Sequence, residues 1–573
     1  MRKPRSILPS VHNNSHNHNH IRGSRRSFVL TLLGLVFIAV LSIYLIIEKL
    51  SLFRVTRSNE TSRSISSPLT PPPPPPPPSF SSQILVDDLS LQKETRLPLT
   101  LSPPVLSIEE KDPSLPESPP SLPISPPLPP LILPPPLPES SPPLSPIRLL
   151  STDFHIGPIA DLKYLVSKFF KEQVHITDYS LSGACTRANT CARREDLKVL
   201  VQGGWEEGIY ASSATKRLFF DSYKDGGLPF DQDVFHCSHP TGMCEFFMPF
   251  DIPMIVWATT RFEQGREGNA LRFSGFVQNF IALAKRPGTV ILANNLYDLH
   301  YIKYFTGVTP LYVQSHCAYP GVQYAWGKEK SLPALSKRDI LVSGFRPKRA
   351  LSTTGLADFI SPLISAAQQA NLPFTFKEYR QALGDNYLYS DLVRYPAILY
   401  IPYQVSIMSF YEQYNMGIPL LAPSLSLLTQ WHMDYLMVSE RTWDTVLQGS
   451  PKRSSAIPRH ASVDDSEEPF DPNDEFNKEA VSHWLSYSDF YHFPHIILFD
   501  SWQDAVDKLA AADLEDISRK MLQHSKAVEQ ELVTTWGKIF KDISKVQPRK
   551  PLSDVSYHER MNSLYGEGKW SDY

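Results

Sequence analysis

The chain has 573 residues, 42% of them hydrophobic, with 30 Phe, 25 Tyr and 9 Trp, so it can build a substantial core and is not disordered throughout. Its 56 Lys and Arg against 59 Asp and Glu leave a formal charge of −3, which gives no broad positive field for holding DNA or RNA. Five cysteines are too few for a disulfide scaffold, and the 53 prolines are concentrated, 28 of them between Pro68 and Pro146.

Residues 1–27 form a basic tail with Arg2, Lys3, Arg5, Arg22, Arg25 and Arg26 and no acid. Its His12, His16, His18 and His20 lie in an Asn/His tract that reads as solvated chain in preference to a weak metal site. Phe28–Ile47 is twenty residues without a charge, about 30 Å as a helix, and no small-residue cleavage site follows it. The segment therefore reads as an uncleaved signal-anchor. Flanking charge keeps the tail cytosolic and sends the rest across, a single-pass type II arrangement with a luminal C-terminal part. Asn59, in Asn59-Glu60-Thr61, then becomes a candidate glycosylation site on the translocated side.

Residues 48–150 contain an unbroken proline run, Pro71 to Pro78, and read as a semi-rigid polyproline spacer, favoured over a PxxP ligand. Beyond 150, short apolar runs alternate with amphipathic stretches, the pattern of parallel sheets with crossover helices. In 151–330 the expected strands are Leu197–Gln202, Ile252–Trp257, Thr289–Leu292 and Leu311–Gln314, with helices at Leu271–Lys285 and Leu296–Phe305. Cys185–Cys191 and Cys237–Cys244 are candidate local disulfides with Cys317 left free, although spacing does not fix connectivity. A zinc site from His236, Cys237, His239 and Cys244 is disfavoured because His236 and Cys237 are adjacent.

In 331–545 the expected strands are Asp339–Ser343, Phe374–Lys377, Ala397–Ile401, Ile418–Leu421 and Ile496–Phe499. Helices are expected at Leu356–Ala370, Ser406–Asn415 with Ser406 as its cap, and Trp502–Ile543, with 450–475 a surface insertion and 546–573 a tail. The fold class is thus α/β, two Rossmann-like domains behind an anchor and a disordered proline-rich stalk. Ligands of such sheets bind beyond the carboxyl ends of strands. Gly344 with Arg346, Lys348 and Arg349 after one strand, and the helix start after Ile401, are the two candidate places for a diphosphate.

The run Ser406-Ile407-Met408-Ser409-Phe410-Tyr411-Glu412-Gln413-Tyr414-Asn415-Met416-Gly417-Ile418-Pro419 resembles the donor-site segment of GT-B-fold, nucleotide-sugar-dependent glycosyltransferases. The C-terminal Ile496–Phe499 strand, Asp500-Ser501-Trp502-Gln503-Asp504 and the long helices carrying Trp536 are similar to that family as well, so the resemblance covers about 335–545. It implies a glycosyltransferase that moves a sugar from a nucleoside-diphosphate donor to a glycan or glycoprotein acceptor, in the Golgi or ER membrane. Glu412 would accept ribose hydroxyls, Gly344, Arg346 and Lys348 would meet the diphosphate, and Ser406 would lie beside it. Retaining members carry a glutamate eight positions before the ribose-binding one; here that position is Gln404. No cofactor or metal is implied, the nucleotide sugar being a co-substrate. An inverting route would need a base, for which His155, His300 and His316 are candidates. Two other readings are an inactive GT-B-like luminal protein that binds glycans or partners, suggested by Gln404, and a structural membrane protein with an extensin-like stalk, which the α/β periodicity opposes.

Overall fold

Mostly apolar runs such as VFHC, MIVWA, DILVS and ILY are buried at nearly every position, as expected of parallel strands covered on both faces. The computed structural model describes residues 145–573 apart from 183–184, 186–189, 193, 198, 201–209, 328–337, 347–354, 385–386, 449, 544–551 and 553. The basic tail, the apolar segment 28–47, the stalk and Asn59 lie outside the described residues. Among the described residues no helix is long and apolar enough to cross a membrane. They fall in one unit, residues 131–573, built as two lobes.

The first lobe contains β1 (Ile147–Asp153), α1 (Ile156–Phe169), β2 (Val174–Ser180), α2 (Ser213–Tyr223), β3 (Val234–Cys237), β4 (Met254–Ala258), α3 (Ala270–Ala284), β5 (Thr289–Ala293), α4 (Leu296–Thr306) and β6 (Leu311–Tyr312). Its strands lie in the order β2-β1-β3-β4-β5-β6, all parallel. The second lobe contains β7 (Asp339–Ser343), α5 (Ser361–Gln369), β8 (Thr375–Glu378), β9 (Ile398–Tyr400), α6 (Met408–Asn415), β10 (Leu420–Pro423), α7 (Leu425–Tyr435), α8 (Lys478–Leu485), β11 (Ile497–Phe499) and α9 (Trp502–Ala511). Its sheet runs β11-β10-β9-β7-β8, again all parallel. Each lobe therefore begins with a strand that has its successor on one side and the third strand on the other. Crossover connections leave this first strand in opposite directions, which opens a crevice at its carboxyl end.

The chain then crosses back. In α10 (Leu514–Ile543) the first half packs Met521 into the second lobe, while Leu532, Trp536, Ile539 and Phe540 join the core of the first. Trp536 meets Trp257 of β4 edge to face at 5.4 Å. The tail continues through α11 (Tyr557–Tyr565) onto the first lobe, where the Tyr573 hydroxyl donates to Glu245 at 2.6 Å. There, too, the Glu245 carboxylate accepts from Arg266 at 2.9 Å.

Several expectations are corrected. Leu197 closes a one-turn helix, Arg194–Leu197, instead of opening a strand, and residues 201–209 lie outside the described ones. The first strands are β1 and β2, and β1 already starts at Ile147. The Cys185–Cys191 bond forms, but Cys237 and Cys244 are free. Both thiols are buried in the core of the first lobe, where free cysteine behaves as a small apolar residue. Pro362 at the start of α5 separates it from the short helix Leu356–Phe359, and the expected Trp502–Ile543 helix is two, parted at 512–513. The 450–475 segment is not a surface insertion alone, because Glu468, Asn473 and Glu475 are buried in it.

Candidate functional site

The site starts from a glycine. At the end of β7, Gly344 has φ +96°, and a Cβ there would sit 2.3 Å from the Ile401 carbonyl oxygen at the end of β9. Only glycine allows the two strand ends to approach in this way. Beside them opens a pocket of about 960 Å³ at the crevice between β7 and β9. Ser343, Gly344, Arg346, Glu378, Tyr379, Tyr387, Tyr389, Tyr403, Ser409 and Glu412 contribute to its wall.

Glu412 lies on α6, whose last turn ends at Gly417 in the left-handed conformation, φ +73°. A Cβ on Gly417 would be 2.7 Å from Leu522, so the glycine also lets α10 close over this turn. Glu412 Oε1 accepts from the Tyr319 hydroxyl, in the segment joining the lobes, and from the Tyr389 hydroxyl at 3.0 Å. Its Oε2 has no hydrogen-bond partner among the described residues. Burial raises the pKa of Glu412, while the two tyrosines act in the opposite direction. The arrangement orients one carboxylate oxygen and leaves the other for a ligand.

Arg346 is more than half exposed, stacks its guanidinium 4.1 Å from the Tyr403 ring centre and donates to Glu440 at 2.9 Å. Gln404 reaches the same carboxylate from the other side at 3.2 Å. Ser406 is buried behind the pocket, its hydroxyl 3.1 Å from that of Tyr411, and the helix cap is Ile407. Thus Gly344, Arg346 and Glu412 come together at one pocket, Gln404 joins through Glu440, and Ser406 stands apart from the wall. Lys348 and Arg349 lie outside the described residues.

The first lobe meets α6 and the loop after α7 with the carboxyl ends of its own strands. Gly157 at the start of α1 faces Met408, whose Cγ lies 3.4 Å from where a Cβ would be. Tyr411 donates to the Asn294 carbonyl at 3.3 Å, and Arg261, after β4, donates to the Glu440 carbonyl at 2.8 Å. Trp443 returns a bond from its indole N–H to the Arg261 carbonyl at 2.9 Å. The loop carrying Glu440 is anchored from behind: Arg441 is fully buried and donates to Glu475 and to the carbonyls of Pro472 and Asp474. Burial works against the Glu475 charge, but Arg441 and His432 outweigh it and hold the pKa down to about 2.

The three candidate histidines separate. His155 follows β1 and caps α1, its Nδ1 accepting from the Gly157 N–H at 3.2 Å. The residue is exposed, yet desolvation by the surrounding protein lowers its pKa. With Nδ1 accepting, the neutral ring carries its proton on Nε2 and offers a donor there, not a base. His300 stacks on Tyr487 at 4.0 Å and pairs with Glu468, which also meets His483 at 3.0 Å. His316 belongs to the segment between the lobes; its main-chain N–H donates to buried Asp161 at 2.8 Å. His155 stands where the first lobe faces the start of α6, and His316 beside its last turn, its carbonyl accepting from the Asn415 amide. Among the described residues no cluster of three or more His, Cys, Asp or Glu could hold a metal ion.

Tyr319, Tyr389 and Glu440 were not singled out from the sequence. Tyr389 alone has a local signal, the density of tyrosines in 379–403, a pattern shared with ordinary cores; Tyr319 and Glu440 have none.

The sequence matches no protein-family model and no curated protein. Among solved structures, the glycotransferase of kitacinnamycin is matched at 10% identity and a TM-score of 0.34, over 69% of this chain and 99% of that one. The glycosyltransferase SnogD from Streptomyces nogalater is matched at 12% identity and a TM-score of 0.33, over 69% and 99%. The spinosyn rhamnosyltransferase SpnG, complexed with thymidine diphosphate, is matched at 11% and 0.32, over 68% and 100%. At such scores these likenesses assign no role to any residue here. The fold and site together define a two-lobed protein with two parallel α/β sheets and a polar pocket at the switch point of the second.

Proposed function

We propose that the protein is a glycosyltransferase that takes a sugar from a nucleoside-diphosphate donor held in the second lobe. The observation that carries the reading is the convergence of Gly344, Arg346 and the half-satisfied Glu412 carboxylate on one pocket at the β7/β9 crevice. A carboxylate with one oxygen fixed and one open suits a vicinal diol, which can donate two hydroxyls to it. The close-approach backbone at Gly344 and the Arg346 guanidinium suit a diphosphate, whose departing charge they would stabilise electrostatically. The aromatic wall of Phe345, Tyr379, Tyr387 and Tyr403 suits the flat face of a base. The acceptor, a glycan or glycoprotein hydroxyl, would enter from the first lobe, where His155 Nε2–H could donate to its oxygen or to the sugar. The anchor and stalk support placing this pocket in the lumen of the Golgi or ER, at the end of a type II tether.

A second reading, a binding protein without turnover, is favoured by one observation: Gln404 spends its amide on Glu440, not on a substrate. One experiment separates the two. Full-length protein in detergent is mixed with a panel of nucleotide sugars and glycan acceptors, and nucleotide release is followed beside thermal stabilisation. Release of nucleoside diphosphate supports the transferase; stabilisation without release supports the binding protein; neither rejects the donor pocket.

A further inference from the structure

Among the described residues, the cation of the pocket wall is Arg346, and it is already paired. Arg346 gives Nη1 to Glu440 Oε1 at 2.9 Å, and Gln404 gives Nε2 to Glu440 Oε2 at 3.2 Å, so both oxygens of one carboxylate are taken up at the rim of the pocket. The Glu440 main chain is held separately from its carboxylate. Its N–H donates to the Tyr403 carbonyl at 2.8 Å, and its own carbonyl accepts from Arg261 of the first lobe at 2.8 Å. Its neighbour Arg441 is locked in the buried set with Glu475. The backbone is therefore held from both lobes while the side chain lies partly open, 24% exposed against 56% for Arg346. Solvent-exposed ion pairs of this kind hold weakly and exchange readily.

We infer that Glu440 is a built-in place-holder for the diphosphate: its carboxylate neutralises Arg346 in the empty pocket and must swing off when a phosphate group takes the guanidinium. The inference rests on the reading of the pocket as a diphosphate site. Two physical consequences follow. Nonspecific small anions meet a cation that is already paired, so a weak binder gains little. A ligand with several phosphate oxygens can replace the carboxylate on both partners, taking the Arg346 N–H and the Gln404 amide together. Because the Glu440 carbonyl is tied to Arg261, the exchange takes place at the contact between the lobes.

The test uses full-length protein and pyrophosphate as probe, with calorimetry on wild type, Glu440→Gln, Arg346→Ala and the double variant. Glu440→Gln should bind pyrophosphate roughly three- to fivefold more tightly, the scale of an exposed ion pair removed. In the Arg346→Ala background the same substitution should give no gain, and Glu378→Gln, which removes a carboxylate of the pocket wall that is not paired with Arg346, should give a smaller one. Equal or weaker binding by Glu440→Gln, or the same gain without Arg346, overturns the place-holder. Unchanged thermal stability of Glu440→Gln shows that it folds, as expected where the main chain does the anchoring. A panel of nucleoside diphosphates then separates the two levels. If Glu440→Gln gains pyrophosphate affinity but neither it nor wild type binds any nucleotide, the place-holder stands and the donor reading fails. Nucleotide binding that is alike in both keeps the donor reading and rejects the place-holder, and no binding of either probe to any form rejects both.

Discussion

Glu412→Gln isolates the proposed ribose contact from the fold. In the native site Oε1 is held by the hydroxyls of Tyr319 and Tyr389, the latter at 3.0 Å, and Oε2 is open. The amide keeps the same shape and can leave its oxygen on the two tyrosines, so the protein should stay folded. Its NH2 then faces the ligand, where two sugar hydroxyls need an acceptor. Losing hydrogen bonds to a charged group costs about 1.5–3 kcal/mol, which is roughly a ten- to hundredfold weaker Kd. Glu412→Ala should lose the same affinity and also strand two tyrosine hydroxyls, at about 1–3 kcal/mol each where they stay buried, and so melt lower. The pH dependence gives an independent check. Burial raises the Glu412 pKa and the tyrosines oppose it, so nucleotide binding should weaken as pH falls through that raised value. In Tyr389→Phe the opposing hydrogen bond is gone and the midpoint should move to higher pH. Calorimetric titration with a nucleoside diphosphate measures both. Wild-type affinity in Glu412→Gln, with Arg346→Ala impaired, would refute the ribose role while leaving the anion site.

Other expectations follow from single features. Gly344→Ala must place a methyl 2.3 Å from the Ile401 carbonyl at a φ of +96°. It should cost about 2 kcal/mol or more in denaturant unfolding, with loss of nucleotide binding, and a full-affinity variant would contradict the close approach. Burial pushes the Asp489 carboxyl up to about 7 from an ordinary 3.8, so the folded protein binds this proton more tightly than the unfolded chain. Stability from this group is therefore full below about pH 4 and lost as pH rises to about 7, with a slope near 1.4 kcal/mol per unit. Asp489→Asn should remove that slope from a pH series of unfolding curves. Trp536→Ala empties a fully buried site against Trp257 and Phe540 and should cost about 3–5 kcal/mol. Hydrogen exchange should then rise in the C-terminal half of α10, and protection unchanged there would contradict its role in tying the lobes.

The two α/β units were legible in the sequence because parallel strands buried on both faces need short apolar runs, and MIVWA and the ILV of DILVS show this locally. The helix bearing Glu412 and its end at Gly417 were legible because a left-handed cap is a property of a few adjacent residues. β1 and β2, IRLLSTD and VHITDYS, were missed: their polar positions break the apolar run, and β1 follows directly on the proline-rich segment. The rest of the site was decided by the tertiary fold. Residues 319, 344, 389, 412 and 440 are brought together only by the strand order β10-β9-β7-β8 and the segment joining the lobes, and no spacing along the chain encodes that order. Propensity and capping act over one or two turns. Which carboxylate faces which tyrosine or arginine depends on contacts between distant parts of the chain, and these exist only once the sheets have assembled.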